Sequence, residues 1–265
     1  MKKVLITGAA GRIGTLLRAR LRDRYELHSL THRAADFPSH VASVADLDAI
    51  RPAFEGMHAV VHLAVSSNDW NAWQGALDDN IRGTYNVCEA ARQAGVGSLV
   101  FTSSNHVVSG YEIETGPSLY ALDDPRGIDE RAEVRPDSVY GLSKAVGEAT
   151  CRYYSDVHGL RAYVLRIGWV IPADDFRQVN FALEAAPPLD EAGKRARLRA
   201  LYLSHHDCAE LVAACLEAEH IRFGIYYGTS NNPRQFQSLA NAARDLGWQP
   251  LDSAPVGIDG TFGAD

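Results

Sequence analysis

A chain of 265 residues, 46% hydrophobic and 22% charged, can bury one large α/β core and has the composition of a water-soluble globular protein. Its formal net charge of −7 argues against a general binder of nucleic acid or of an anionic membrane. No apolar run approaches the ~20 residues of a membrane span. Cys88, Cys151, Cys208 and Cys215 show no CxxC spacing and fall in apolar helical patterns, which predicts buried reduced thiols and no metal centre. The chain starts almost directly with a strand pattern, leaving no room for a signal peptide, so a cytoplasmic location is expected.

In chain order, Val4-Leu5-Ile6 reads as a buried strand, and Ile13, Leu16, Leu17 and Leu21 recur at helical spacing. Between them Gly8, Gly11 and Gly14 form a GxxGxxG turn. A strand turning through glycines into a helix leaves backbone N–H groups unpaired, and with the helix dipole they attract a phosphate. Gly8, Gly11, Arg12, Ile13 and Gly14 are therefore expected to hold a dinucleotide. Tyr25–Leu30 is the second strand, ending in Thr31-His32-Arg33. An acid near this point would hold the adenosine ribose hydroxyls of NAD, whereas a basic residue accommodates a 2′-phosphate. No acid appears before Asp36, so His32, Arg33 and Arg12 favour NADP, with NAD as the alternative. Asp46 and Leu47 could flank the adenine, although Asp46 is equally well placed as a helix N-cap.

The third strand, His58–Ala64, is nearly continuous in apolar residues, and Ala64-Val65-Ser66-Ser67 opens a loop expected to lie over the cofactor, with Leu63, Ala64 and Val65 beside it. His62 reads as a core residue. Residues 75–94 form a long helix with Asn80 and Asn86 near its polar side, and a fourth strand runs from Ser98 to Thr102. Residues 109–136, rich in glycine and proline, read as a surface excursion. Pro136-Asp137-Ser138 then starts a helix over 139–157. Arg161–Ile167 is the fifth strand, with Ile167 beside the cofactor. The pattern loosens over 173–200 and resumes as a helix over 206–218, a strand over 224–228 and a helix over 235–246. Strands alternating with helices imply a doubly wound, mostly parallel sheet in a single domain, with 1–168 mainly dinucleotide-binding and 169–265 supplying substrate-binding elements.

Tyr140-Gly141-Leu142-Ser143-Lys144 sets a phenol and an ammonium four residues apart on one helix face. A free tyrosine, with a pKa near ~10, is a poor base at neutral pH, and a nearby cation favours its phenolate. Ser104, near the end of the fourth strand, is placed to hold a substrate oxygen.

TGAAGRIG, Thr102-Ser103-Ser104 and YGLSK together resemble an extended short-chain dehydrogenase/reductase, nearly end to end, and so imply a Rossmann-type α/β fold. Ser103-Ser104-Asn105-His106, RPDSVYGLSKAVGE, Arg166-Ile167-Gly168 and Ser204-His205-His206-Asp207 are similar to uronate dehydrogenases and the related sugar-phosphate enzymes. The resemblance implies oxidation of an aldose, a hexuronate first, to its lactone. Tyr140 would take the anomeric proton while hydride passes to the nicotinamide; Ser104 would hold the oxygen, and Lys144 would hold Tyr140 and the ribose. By the same carry-over Ser67, Asn105 and His106 would contact sugar hydroxyls, and Asn80 would join a proton relay with Lys144. The arginine that meets the substrate anion in those relatives corresponds by spacing to Arg197, with Arg177 and Arg199 as alternatives. The resemblance also implies a homodimer paired through helices 75–94 and 139–157. Three other readings stand beside it: a dehydrogenase of a sugar phosphate or of another acidic or neutral sugar, an epimerase or dehydratase of a nucleotide-linked sugar, and a non-catalytic NADP-sensing protein.

Overall fold

The computed structural model describes residues 1–66, 70–178 and 189–254. Among these, β1 (Lys3–Thr7), β2 (Glu26–Thr31), β3 (His40–Val41), β4 (Ala59–His62), β5 (Ser98–Ser104), β6 (Arg161–Ile167) and β7 (Phe223–Gly228) form one parallel sheet in the order β3-β2-β1-β4-β5-β6-β7. Side chains alternate across a strand. Val4 and Ile6 of β1 therefore enter one core while Leu5 enters the other, and Val100 of β5 is likewise separated from Leu99 and Phe101.

On the first face lie α1 (Arg12–Leu21) and α8 (His205–Glu217); on the second, α4 (Gly83–Gln93) and α6 (Val139–His158). Each fully buried aliphatic side chain contributes about 1.5–3 kcal/mol. Both faces of the sheet being covered is the arrangement that near-continuous apolar strands require. It makes the fold a Rossmann-type α/β sheet with helices on both faces. Cys88, Cys151, Cys208 and Cys215 are buried and unpaired. Among the described residues no helix is long and apolar enough to cross a membrane.

Several boundaries differ from the sequence expectation for identifiable reasons. β4 stops at His62 because its partner β1 ends at Thr7 and turns away through Gly8. β5 runs on to Ser104 because Ser103 and Ser104 stay in register with Arg166 and Ile167. Residues 235–239 are not helical: Ile128 takes backbone hydrogen bonds with Phe236 and Ser238, and the helix α9 begins at Ala240 and ends at Leu246. The helix expected over 75–94 runs as α3 (Trp73–Gly75), a π-helical segment (Ala76–Arg82) and α4, with Asn80 and Asn86 buried rather than on the polar side. The loosened stretch 173–200 contains a regular helix, α7 (Glu191–Leu201), capped by Asp190. Its apolar periodicity is broken by a buried arginine, Arg197. Nor is 109–136 wholly a surface excursion, since α5 (Gly110–Thr115) and the following 3-10 turn bury Glu112, Leu119 and Tyr120.

Candidate active site

The strand order reverses between β1 and β4, and a cleft of about 1050 Å³ opens beyond the C-terminal ends of these strands and of β5 and β6. That is the position where open α/β sheets bind ligands. Gly8, Gly11, Arg12, Ile13 and Gly14 form one wall. Gly8 has φ +69°, and a Cβ on Gly14 would stand 2.6 Å from the Gly8 carbonyl oxygen, so the turn admits no side chain at either place. The first turn of α1 carries no acid and no side-chain cap, whereas α6, α7 and α8 are capped by Ser138, Asp190 and Ser204. Uncapped N–H groups beside glycines fit a pyrophosphate.

His32 and Arg33 line the far end of the cleft, and Leu63, Ala64 and Val65 line its side. Asp46 and Leu47 do not reach it. The Asp46 carboxylate accepts from the Ala49 N–H at 3.0 Å as the N-cap of α2 (Leu47–Ile50), and Leu47 packs against the core. Ser43 and Val44 line the wall in their place.

At the other end Ser104, Asn105, His106, Tyr140, Lys144 and Ile167 converge. β5 delivers Ser104, whose hydroxyl accepts from the His106 N–H at 3.2 Å. α6, started by the Ser138 hydroxyl accepting from Gly141, delivers Tyr140 and Lys144 one turn apart. A buried ion pair fixes α6 to the sheet: Arg166 meets Glu148 at 2.8 and 2.9 Å, and Ser103 donates to the same carboxylate at 2.6 Å. The Lys144 ammonium donates to the Thr102 carbonyl at 2.7 Å and lies 5.7 Å from the Tyr140 ring.

Burial pushes the Tyr140 phenol up to about 12, with Ser104 pulling the other way, and burial brings Lys144 down to about 7. In the protein by itself desolvation, with the Asp137 charge adding to it, outweighs the Ser104 hydrogen bond. His62 lies buried between the Thr7 and Thr84 hydroxyls, at 2.7 and 3.2 Å, and desolvation holds it near 3.

Asn80 and Arg197 are placed differently from expectation. Asn80 bonds the backbone of Ser66 and the Ser143 hydroxyl, tying a loop to α6, with no direct bond to Lys144. Arg197 stands behind Asn105, 1% exposed, with Nε 2.6 Å from a Glu112 carboxylate oxygen. Arg177 is exposed and paired with Asp175. Ser67 lies outside the described residues.

Three contributors had no sequence signal. Trp70 lines the cleft with its ring 4.5 Å from His106 and edge-on to Tyr140 at 4.6 Å. Trp169 also lines it. Asp137, adjacent to the helix cap, holds His106 Nδ1 at 2.7 Å; burial would raise this carboxyl, but the histidine bond brings it below its ordinary value.

Residues 4–180 match the model of the NAD dependent epimerase/dehydratase family. The chain is 37% identical over 264 residues to the L-arabinose 1-dehydrogenase (NAD(P)(+)) of Haloferax volcanii, covering 98% of this chain and 100% of that one. To the NAD-dependent glucose-6-phosphate dehydrogenase of the same organism it is 34% identical, over 95% of this chain and 94% of the other. The crystal structure of uronate dehydrogenase from Agrobacterium tumefaciens superposes with a TM-score of 0.78 at 28% identity, over 95% and 85% of the two chains. The chain belongs to the NAD dependent epimerase/dehydratase family.

Proposed function

We propose that this protein is an NAD(P)-dependent sugar dehydrogenase that oxidises an aldose at its anomeric carbon to the lactone. The convergence of Ser104, Tyr140 and Lys144 at one end of a cleft whose other end is an uncapped glycine turn carries this reading. The relatives named as arabinose, glucose-6-phosphate and uronate dehydrogenases support it. Oxidation removes a proton from the anomeric hydroxyl and a hydride from its carbon. Ser104 donates a hydrogen bond to the anomeric oxygen and Tyr140 takes the proton. Lys144, fixed by Thr102, supplies positive charge beside the phenol and holds the nicotinamide ribose. Held by the glycine turn and Lys144, an oxidised nicotinamide would supply the hydride acceptor and a positive charge that adds to that of Lys144 in favouring the phenolate that burial alone opposes.

At the adenosine end the cleft wall carries His32 and Arg33 with no acid beside them after β2, the acid among the described lining residues being Asp79 from the π-helical segment, and this basic pair supports NADP over NAD. The test is a panel of aldoses incubated with each cofactor while the reduced nicotinamide is followed by absorbance. Turnover with at least one aldose supports the reading; none at high enzyme concentration rejects it. The exposed apolar residues Tyr85 on α4 and Leu142, Tyr153 and Val157 on α6 support a homodimer through these helices. Light scattering should give twice the chain mass for the wild type and a single chain for Val157→Glu; a wild-type monomer contradicts the pairing.

A further inference from the structure

We propose that the site takes an uncharged aldose, and that Glu112 is the residue that decides this by neutralising the arginine which would otherwise meet an anionic group. The proposal rests on the aldose reading above and names its substrate class. Arg197 reaches the sugar end of the cleft from α7: with the Asn105 amide set by its neighbours, Arg197 Nη2 donates to the Asn105 oxygen at 3.1 Å while the Asn105 nitrogen donates to the Ile167 carbonyl at 3.3 Å. The guanidinium also lies 5.7 Å from the ring of Trp169. Its strongest partner, however, is a carboxylate of the protein itself. Nε and Nη2 of Arg197 meet the two oxygens of Glu112 at 2.6 and 3.3 Å, the two-pronged geometry a substrate carboxylate would need.

Glu112 is itself fully satisfied. Ser109 and Tyr120 each donate to it at 2.6 Å, and it is 2% exposed. These bonds and the pairing with Arg197 hold it ionised against the cost of burial. A second carboxylate, Asp137, stands behind His106 on the same side. Glu112 and Asp137 both face the Arg197 side of the site, so an arriving carboxylate or phosphate would meet an arginine whose charge the protein has already matched.

Among the described lining residues the remaining lysines and arginines are Lys144, fixed on Thr102 beside the tyrosine, and Arg12 and Arg33, at the glycine turn and the far end. Residues 67–69 and 179–188 contain no lysine or arginine. What Arg197 retains is one buried Nη1 with no partner, and His106 retains Nε2 in the same condition. The Nη1 N–H groups can donate, and Nε2, opposite the Nδ1–H that bonds Asp137, can accept, a donor and an acceptor that suit sugar hydroxyls.

The experiment compares kcat/KM for matched sugars differing only at carbon 6, glucose against glucuronate and glucose 6-phosphate, and galactose against galacturonate, in the wild type, Glu112→Gln and the double variant Glu112→Gln/Arg197→Gln. The ratio within one preparation is independent of the fraction folded, so partial loss of structure does not obscure it. The wild type should favour the neutral member by about a hundredfold or more. Glu112→Gln should move the uronate-to-neutral ratio toward the uronate by at least about tenfold, and removing Arg197 as well should abolish that gain. A wild type that prefers the uronate or the phosphate overturns the proposal, as does a ratio that Glu112→Gln leaves unchanged. If neither member of any pair is oxidised and other aldoses are, the carbon-6 account fails while the dehydrogenase reading survives; if no aldose is oxidised, both fail.

Discussion

The two ends of the cleft are built in opposite ways. The dinucleotide end is made of short contiguous stretches, Gly8–Gly14 after β1 and Leu63–Val65 after β4, that act through backbone N–H groups and the absence of side chains. The sugar end is made of single side chains from distant places: Asn105 and His106 after β5, Glu112 in α5, Asp137 before α6, Trp169 after β6 and Arg197 in α7. The first kind of site depends on local conformation. The second depends on which charges the fold brings together, so it can change its ligand without any change in the strand–turn–helix pattern. Ser104, Tyr140 and Lys144 stand where the two meet.

The largest effect is expected at that meeting point. Tyr140→Phe should lower kcat by about 10²–10⁴-fold, the range for loss of a positioned acid–base group, while cofactor affinity measured by fluorescence titration stays within about twofold. Retained turnover would remove the tyrosine from the mechanism. At the dinucleotide end, Arg33→Ser should weaken kcat/KM with NADP by about tenfold and leave NAD nearly unaffected, because an exposed charge–phosphate contact is partly screened. Equal losses with both cofactors would show that Arg33 does not read the 2′-phosphate.

The smallest effect belongs to acid stability at the sugar end. The folded-state pKa of Glu112 lies below its ordinary value because Arg197, Ser109 and Tyr120 outweigh the cost of burial. The stability it contributes is therefore complete above the unfolded value near ~4.3 and is lost as pH falls through the lower folded value. In denaturant titrations the gap between wild type and Glu112→Gln should be widest above about pH 5 and should narrow in acid. A gap that widens in acid would contradict the ion pair.

The same contrast explains what could be read from the sequence. Gly8–Gly14 and Tyr140-Gly141-Leu142-Ser143-Lys144 each carry their geometry within a few residues, so their placement on one cleft was legible, as was the alternation that builds the parallel sheet. Asp46 was ambiguous for a physical reason: a short acid that caps a helix and one that holds a ribose look alike in sequence, and its carboxylate bonds Ala49. Asn80 sits in a π-helical segment, where the altered hydrogen-bond step turns its amide to Ser66 and Ser143. The partner of Arg197 was invisible because Glu112 stands 85 residues earlier, in a stretch whose glycines and prolines read as surface. Burial of a carboxylate requires its countercharge, and sequence spacing alone carries no record of the pairing.

The central claim is that the bond broken lies at the anomeric carbon beside Tyr140. Turnover of an aldose deuterated at carbon 1, with the reduced cofactor recovered and weighed by mass spectrometry, tests this most directly. The account predicts one deuterium in the nicotinamide ring for each lactone formed. Reduced cofactor without deuterium would place the oxidation at another carbon and contradict it.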